Sequence, residues 1–202
     1  MELVTTTIRG KIEKSEKGTL MMSTQKLDDN AALDRRVRSR ASLAVGNKAI
    51  YPGQGPCLIC SVVTKTVDSS VMMFYQMTVL DESGGELFVP VDKARAIGVR
   101  LLMKKSEIPP LLTHLKKRTK AADNWKQRAS DNLKLLTSGS AFDLAEVVSS
   151  LTELSDTRTL TLGESGTLSK ARRLLICEIS EVMDQTKMAA ELQLDKALTA
   201  RK

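Results

Sequence analysis

The sequence predicts an α+β protein: a small antiparallel β module first, then an all-α domain. Three observations carry this. Residues 43–91 break into short β-type runs separated by Gly, Pro, Asp and Ser. After Arg100 the apolar residues recur every three or four positions. The aromatic content is only 3%, so the core must be aliphatic, with nine Met as adaptable filler.

The strand candidates follow in order. Val45 to Tyr51 is stopped by Pro52-Gly53-Gln54-Gly55-Pro56. Cys57 to Val67 is rich in Val, Ile and Thr, which suit a pleated surface. Val71 to Leu80 carries Phe74 and Tyr75, and Asp81-Glu-Ser-Gly-Gly85 is a turn signal before Leu87 to Val91. Four short strands at this spacing imply a small barrel or a strongly bent sheet. Such a module exposes an edge on which a partner strand can pair.

The helices follow. Pro109-Pro110 suits a helix start, with Leu111, Leu112 and Leu115 on one face. Asp123 is a candidate N-cap for a helix from Asn124 to Leu136, whose apolar positions are Trp125, Ala129, Leu133 and Leu136. Ser140 stands three before Asp143, ahead of the stripe Leu144, Val147, Val148, Leu151, Leu154. Thr161-Leu-Gly-Glu164 is a capping box that opens a helix with Leu168, Ala171, Leu175, Ile179 and Val182 on one face. A last helix, about Met188 to Ala200, carries Leu192, Leu194 and Leu198. This divides the chain into a polar, basic, flexible extension over 1–42, with a short hairpin from Val4 to Met22; a β domain over 43–100; and a helical domain over 101–202.

The net charge of +7 is unevenly spread: +3 over 1–42, zero over 43–100, +6 over 101–137 and −2 over 138–202. A cationic stretch from Lys104 to Lys134 attracts phosphate backbones, or is a solvated helix face. The neutral β segment suits a protein partner. No run of eighteen apolar residues is present, and the first residues lack a signal-peptide core. Three cysteines fit a reducing cytoplasm. Cys57 and Cys60 form a CxxC, but with His114 as the sole histidine there are too few zinc ligands, and ordinary strand residues are the expected reading. No nucleotide-binding glycine loop, nucleophile elbow or zincin motif occurs. The expectation is a chain with no catalytic residues, no cofactor and no metal.

Val45-Gly-Asn-Lys-Ala-Ile-Tyr-Pro-Gly-Gln-Gly55 resembles the opening of the CarD/CdnL family of bacterial RNA-polymerase-binding transcription regulators. The likeness continues at Leu87 to Val91, Ile97 to Arg100, Asp123-Asn-Trp-Lys-Gln-Arg through Gly139, and Leu160 to Ile179. It spans residues 43 to 183 and leaves the extension outside. The resemblance implies a Tudor/SH3-like β-barrel docked on the polymerase β subunit, and helices touching promoter DNA at the upstream edge of the bubble. It implies a monomeric, cytoplasmic regulator, nucleoid-associated through polymerase, that stabilises the open promoter complex without strong sequence specificity.

By that resemblance Trp125 wedges into the minor groove, whereas helical spacing alone would make it the anchor of a small core. With the basic residues on the same helices, the candidate DNA-binding set is Trp125, Lys126, Arg128, Lys134, Lys170, Arg172 and Arg173. Arg172 has a second reading as an ion-pair partner of Glu178 or Asp143. The implied polymerase-binding set is Lys65, Phe88 and Pro90. The sequence departs from the family's basic residues at Gln127, Ser165 and Phe88. The departures at Gln127 and Ser165 motivate an alternative, a protein–protein adaptor on polymerase with little or no DNA contact.

Overall fold

In the computed structural model, residues 43–67, 70–81, 84–119, 122 and 124–200 are described. The expected Val4–Met22 hairpin and the rest of the 1–42 extension lie outside them. The β region comprises β1 (Lys48–Tyr51), β2 (Gly55–Val67), β3 (Ser70–Val79), β4 (Glu86–Pro90) and β5 (Arg100–Leu101). They form one antiparallel sheet in the order β4-β3-β2-β1-β5. This is an open order, and among the described residues no pairing joins β5 to β4 to complete a barrel.

The first strand starts at Lys48 rather than Val45. A turn precedes it, in which Asn47 N–H donates to Ala44 O and Asn47 Oδ1 accepts from Ala44 N–H, both at 3.0 Å. A register shift between Ile59 and Ser61 places a bulge in β2, the usual device for bending a strand. Ala49, Cys57, Ile59, Met77, Val79, Val89, Ala94 and Val99 form the sheet's core. Cys57 is buried and Cys60 is exposed. Three residues apart on a strand, their side chains leave opposite faces and cannot hold one ion between them.

The helices are α1 (Ala94–Ile97), α2 (Ile108–Leu115), α3 (Trp125–Thr137), α4 (Ala141–Thr157), α5 (Leu162–Met183) and α6 (Lys187–Thr199). A 3-10 turn, Lys105–Glu107, leads into α2. Leu144, Val147, Val148 and Leu151 are buried as the stripe required, with Ala171, Leu175, Ile179 and Val182 against them. In α6 the buried positions are Ala190, Leu194 and Ala197, while Leu192 faces outward. Among the described residues no helix is long and apolar enough to cross a membrane.

Sheet and bundle keep separate hydrophobic cores. Leu43–Lys202 is nevertheless one compact unit. A polar seam joins the halves. Arg100 on β5 forms a two-point ion pair with Glu178 on α5, at 2.6 and 2.8 Å. Glu178 is 1% exposed and also accepts from Met103 N–H at 3.2 Å. A buried carboxylate is tolerated only with such full pairing. Lys48 reaches Glu181 at 2.6 Å one helical turn along. At the seam's end Gly98 and Gly139 pass so closely that a Cβ on Gly139 would stand 2.8 Å from the Gly98 carbonyl oxygen. Both have φ near +90°, so only glycine meets both demands.

Candidate nucleic-acid interface

Helix α3 inverts the usual amphipathic order. Its buried residues are Arg128, Asn132 and Leu136. Its apolar residues Trp125 and Leu133 are 65% and 61% exposed, and Ala129 between them is also exposed. Of the four apolar positions that helical spacing puts on one face, only Leu136 enters the core. Trp125 is therefore not a core anchor.

The inversion has an electrostatic cause. Arg128 is 7% exposed, and its Nε and Nη2 donate to Glu164 Oε1 at 2.9 and 2.7 Å. Its Nη1 donates to the Ala122 carbonyl. Glu164 stands at the third position of α5 and closes the expected capping box, accepting from Thr161 N–H at 3.0 Å. Arg158 completes the cluster, with Nη2 at 2.8 and 3.0 Å from the two carboxylate oxygens. Burial alone would raise the Glu164 carboxyl. The Arg158, Thr161 and Arg128 hydrogen bonds outweigh it and hold the group at about 2. The pair pins the start of α3 to the start of α5, which leaves the apolar row Trp125, Ala129, Leu133 to solvent.

Asn124, not Asp123, caps α3. Its side chain accepts from Lys126 N–H at 2.9 Å and Gln127 N–H at 3.4 Å. The cap makes Trp125 the first helical residue, projecting from the end of the rod. Lys126 Nζ lies 5.7 Å from the indole centroid. Gln127 donates to both oxygens of Asp131 at 2.8 Å. Lys134 is exposed, 3.6 Å from Asp131. Between α3 and the first turns of α5 runs a groove of about 590 Å³, lined by Trp125, Asn132, Leu133, Arg158, Gly163 and Thr167 among others.

The structure thus separates the expected DNA-binding residues. Trp125, Lys126 and Lys134 share the exposed part of α3. Arg128 is buried, and its guanidinium is engaged by Glu164 and the Ala122 carbonyl. Lys170, Arg172 and Arg173 lie farther along α5. Arg172 is partly buried and ion-paired. At about 100° per residue it points roughly opposite Gly163, and it pairs with Asp195 and, at 3.8 Å, with Glu191 on α6. Neither Glu178 nor Asp143 is its partner, because Arg100 holds Glu178. Arg173 is exposed and 3.4 Å from Asp81. Lys170 is exposed, with Nζ 3.8 Å from where a Cβ on Gly53 would stand.

On the sheet, the register sets Lys65, Phe88 and Pro90 on one face across β2, β3 and β4. Lys65 Nζ sits 3.3 Å over the Phe88 ring, and Phe88 is 42% exposed. That cation–π contact ties the two residues together on the sheet's outer side. β4 is an edge strand.

Sequence reasoning missed Arg158, Asn132 and the Arg100–Glu178 seam. Only the two capping-box residues of the Glu164 cluster carried a local signal; Arg158 and Arg128 reach it through the fold.

Residues 111–195, which contain all of α3, α4 and α5, match the family model described as CarD, C-terminal domain. This part of the chain is thus similar to the C-terminal domain of CarD, in line with the resemblance in the sequence.

Proposed function

We propose that the chain binds the RNA polymerase β subunit through its sheet and stabilises the open promoter complex through its helices, which contact DNA at the upstream edge of the bubble. The exposed Trp125 carries this reading. A large flat apolar side chain costs solvation where it stands, and the Arg128–Glu164 pair holds it there. An apolar plate inserted at an unstacked base step opposes re-annealing. Lys126, Lys134, Lys170 and Arg173 supply cations for neighbouring phosphates. None of them reads bases in a fixed pattern, so the contact is weakly sequence-specific and falls steeply with salt.

On the other side, Lys65, Phe88 and Pro90 form the polymerase-facing patch. Phe88 substitutes an apolar and cation–π contact for a basic residue of the family, so the matching surface on β is apolar at that point. The adaptor reading has one observation in its favour: Gln127 replaces a cation and spends its amide on Asp131.

The test is the lifetime of open complexes formed by polymerase with full-length protein. Trp125→Ala is expected to shorten it to the value without regulator, while the protein still co-purifies with polymerase. An unchanged lifetime would sink the wedge. Binding to polymerase without salt-sensitive binding to fork DNA would establish the adaptor instead.

A further inference from the structure

We infer that Arg100 and Glu178 are positioning residues: their ion pair sets the angle between sheet and bundle, and so aims α3, with Trp125 at its far end, from a base fixed on the sheet. This rests on the proposed function and adds how its two contacts are coupled.

Among the described residues the chain passes from sheet to bundle once, through residues 102–104. With separate apolar cores on either side, that crossing is a hinge unless something else spans it. What spans it is one stripe of α5. Lys170, Leu174, Glu178 and Glu181 recur at helical spacing, and each meets the sheet half. Lys170 lies beside Gly53, and a Leu174 methyl stands 3.2 Å from where a Cβ on Gly55 would be. Glu178 meets Arg100, and Glu181 meets Lys48. Lys48–Glu181 and the neighbouring Arg173–Asp81 contact each have an exposed cation, and such pairs hold little. Arg100–Glu178 is the one whose carboxylate is buried and held at two points.

A buried ion pair is weak ground for stability, since apolar residues of the same size often serve as well. What it adds is direction. Two parallel N–H···O bonds in the plane of a guanidinium oppose both rotation and sliding, which an apolar contact tolerates. Arg100 also donates from Nε to the Gly139 carbonyl, in the turn that follows α3. One side chain of the sheet therefore grips both α5 and the C-terminal end of α3. Trp125 lies at the other end of that 13-residue helix. At about 1.5 Å per residue the lever is about 20 Å long. A tilt of about 10° at the seam then moves the indole by about 3 Å, close to the spacing of stacked bases. Two sites on one body reinforce each other only when both can be engaged at once.

The test uses the full-length protein. Arg100→Met combined with Glu178→Gln leaves no charge buried, and the amide oxygen still accepts from Met103 N–H. Arg100→Lys keeps the charge but not the two-point geometry. Spin labels on the exposed Cys60 and on Ser155→Cys, at an exposed position of α4, read the distance from sheet to bundle. The double variant should bind polymerase alone and fork DNA alone within about twofold of wild type, because neither surface is touched. Its spin–spin distance distribution should widen, and the concentration that half-maximally lengthens open-complex life should rise about tenfold. Arg100→Lys should fall between the two. Val148→Ala, which lowers the melting temperature from within the bundle core, should leave distance and lifetime as they are. A double variant that lengthens open-complex life as the wild type does overturns the inference, and so does an unchanged width of the distance distribution. A wild-type chain that binds neither polymerase nor fork DNA removes the proposed function, and the distance width then still decides whether the pair fixes the angle.

Discussion

Arg128 and Glu164 meet across two helices, guanidinium to carboxylate at 2.7 Å, and both are nearly sealed from water. Removing Arg128 takes away two charge-assisted hydrogen bonds and the tie between the helices, while Arg158 and Thr161 still hold the carboxylate. Arg128→Ala is expected to lower unfolding stability by about 1.5–3 kcal/mol. Urea denaturation measures it, and a loss below about 1 kcal/mol would show that the pair is not the clamp between α3 and α5.

The same cluster sets an acid limit. Glu164 is held at about 2 in the folded chain against an ordinary 4.5. The unfolded state therefore binds this proton more readily. The stability from this group is fully present above about pH 4.5 and is lost as the pH falls towards 2. Melting temperatures across that window should fall less steeply in Glu164→Gln, which starts lower and has no carboxyl to titrate.

Trp125 and Leu175 are opposites in exposure, and their truncations should separate stability from function. Trp125→Ala is expected to change stability by less than about 0.5 kcal/mol, because the side chain stands in water. Leu175→Ala, in the fully buried stripe of α5, should cost about 2–5 kcal/mol. Calorimetry on both variants decides it. A Trp125→Ala loss comparable with Leu175→Ala would mean that the indole is buried in solution.

The thiols should react unequally. Burial pushes Cys57 up to about 11 and raises Cys177, leaving little thiolate at neutral pH. Cys60 is exposed. Under native conditions a thiol reagent is expected to modify Cys60 rapidly, and the other two only on unfolding, as peptide mapping by mass would read. Fast native labelling of Cys57 would contradict the sheet's packing.

Gly139→Ala tests the seam. The added methyl would meet the Gly98 carbonyl oxygen at 2.8 Å in a backbone conformation that already disfavours a side chain. A loss of about 1–3 kcal/mol is expected by urea unfolding. Gly163→Ala, on an open helix surface, should be neutral or slightly stabilising by the same measurement.

Much of the fold is local information, and the sequence determined it. Hydrophobic spacing located the strands and helices to within a few residues, and Thr161 with Glu164 announced the start of α5, because caps and periodicity depend on neighbours in the chain. Even so, spacing alone would have put Trp125, Ala129 and Leu133 in the core. Only the tertiary structure decided that Arg128 and Asn132 go inside and the tryptophan stays out. The reason is that the deciding partner, Glu164, lies 36 residues away, and a buried charge pair formed over that distance overrides the apolar pattern of a single helix. The same holds for Arg172, whose carboxylate partners on α6 no nearby residue foretold, and for Lys65 and Phe88, which become neighbours only once β3 has been laid between their strands.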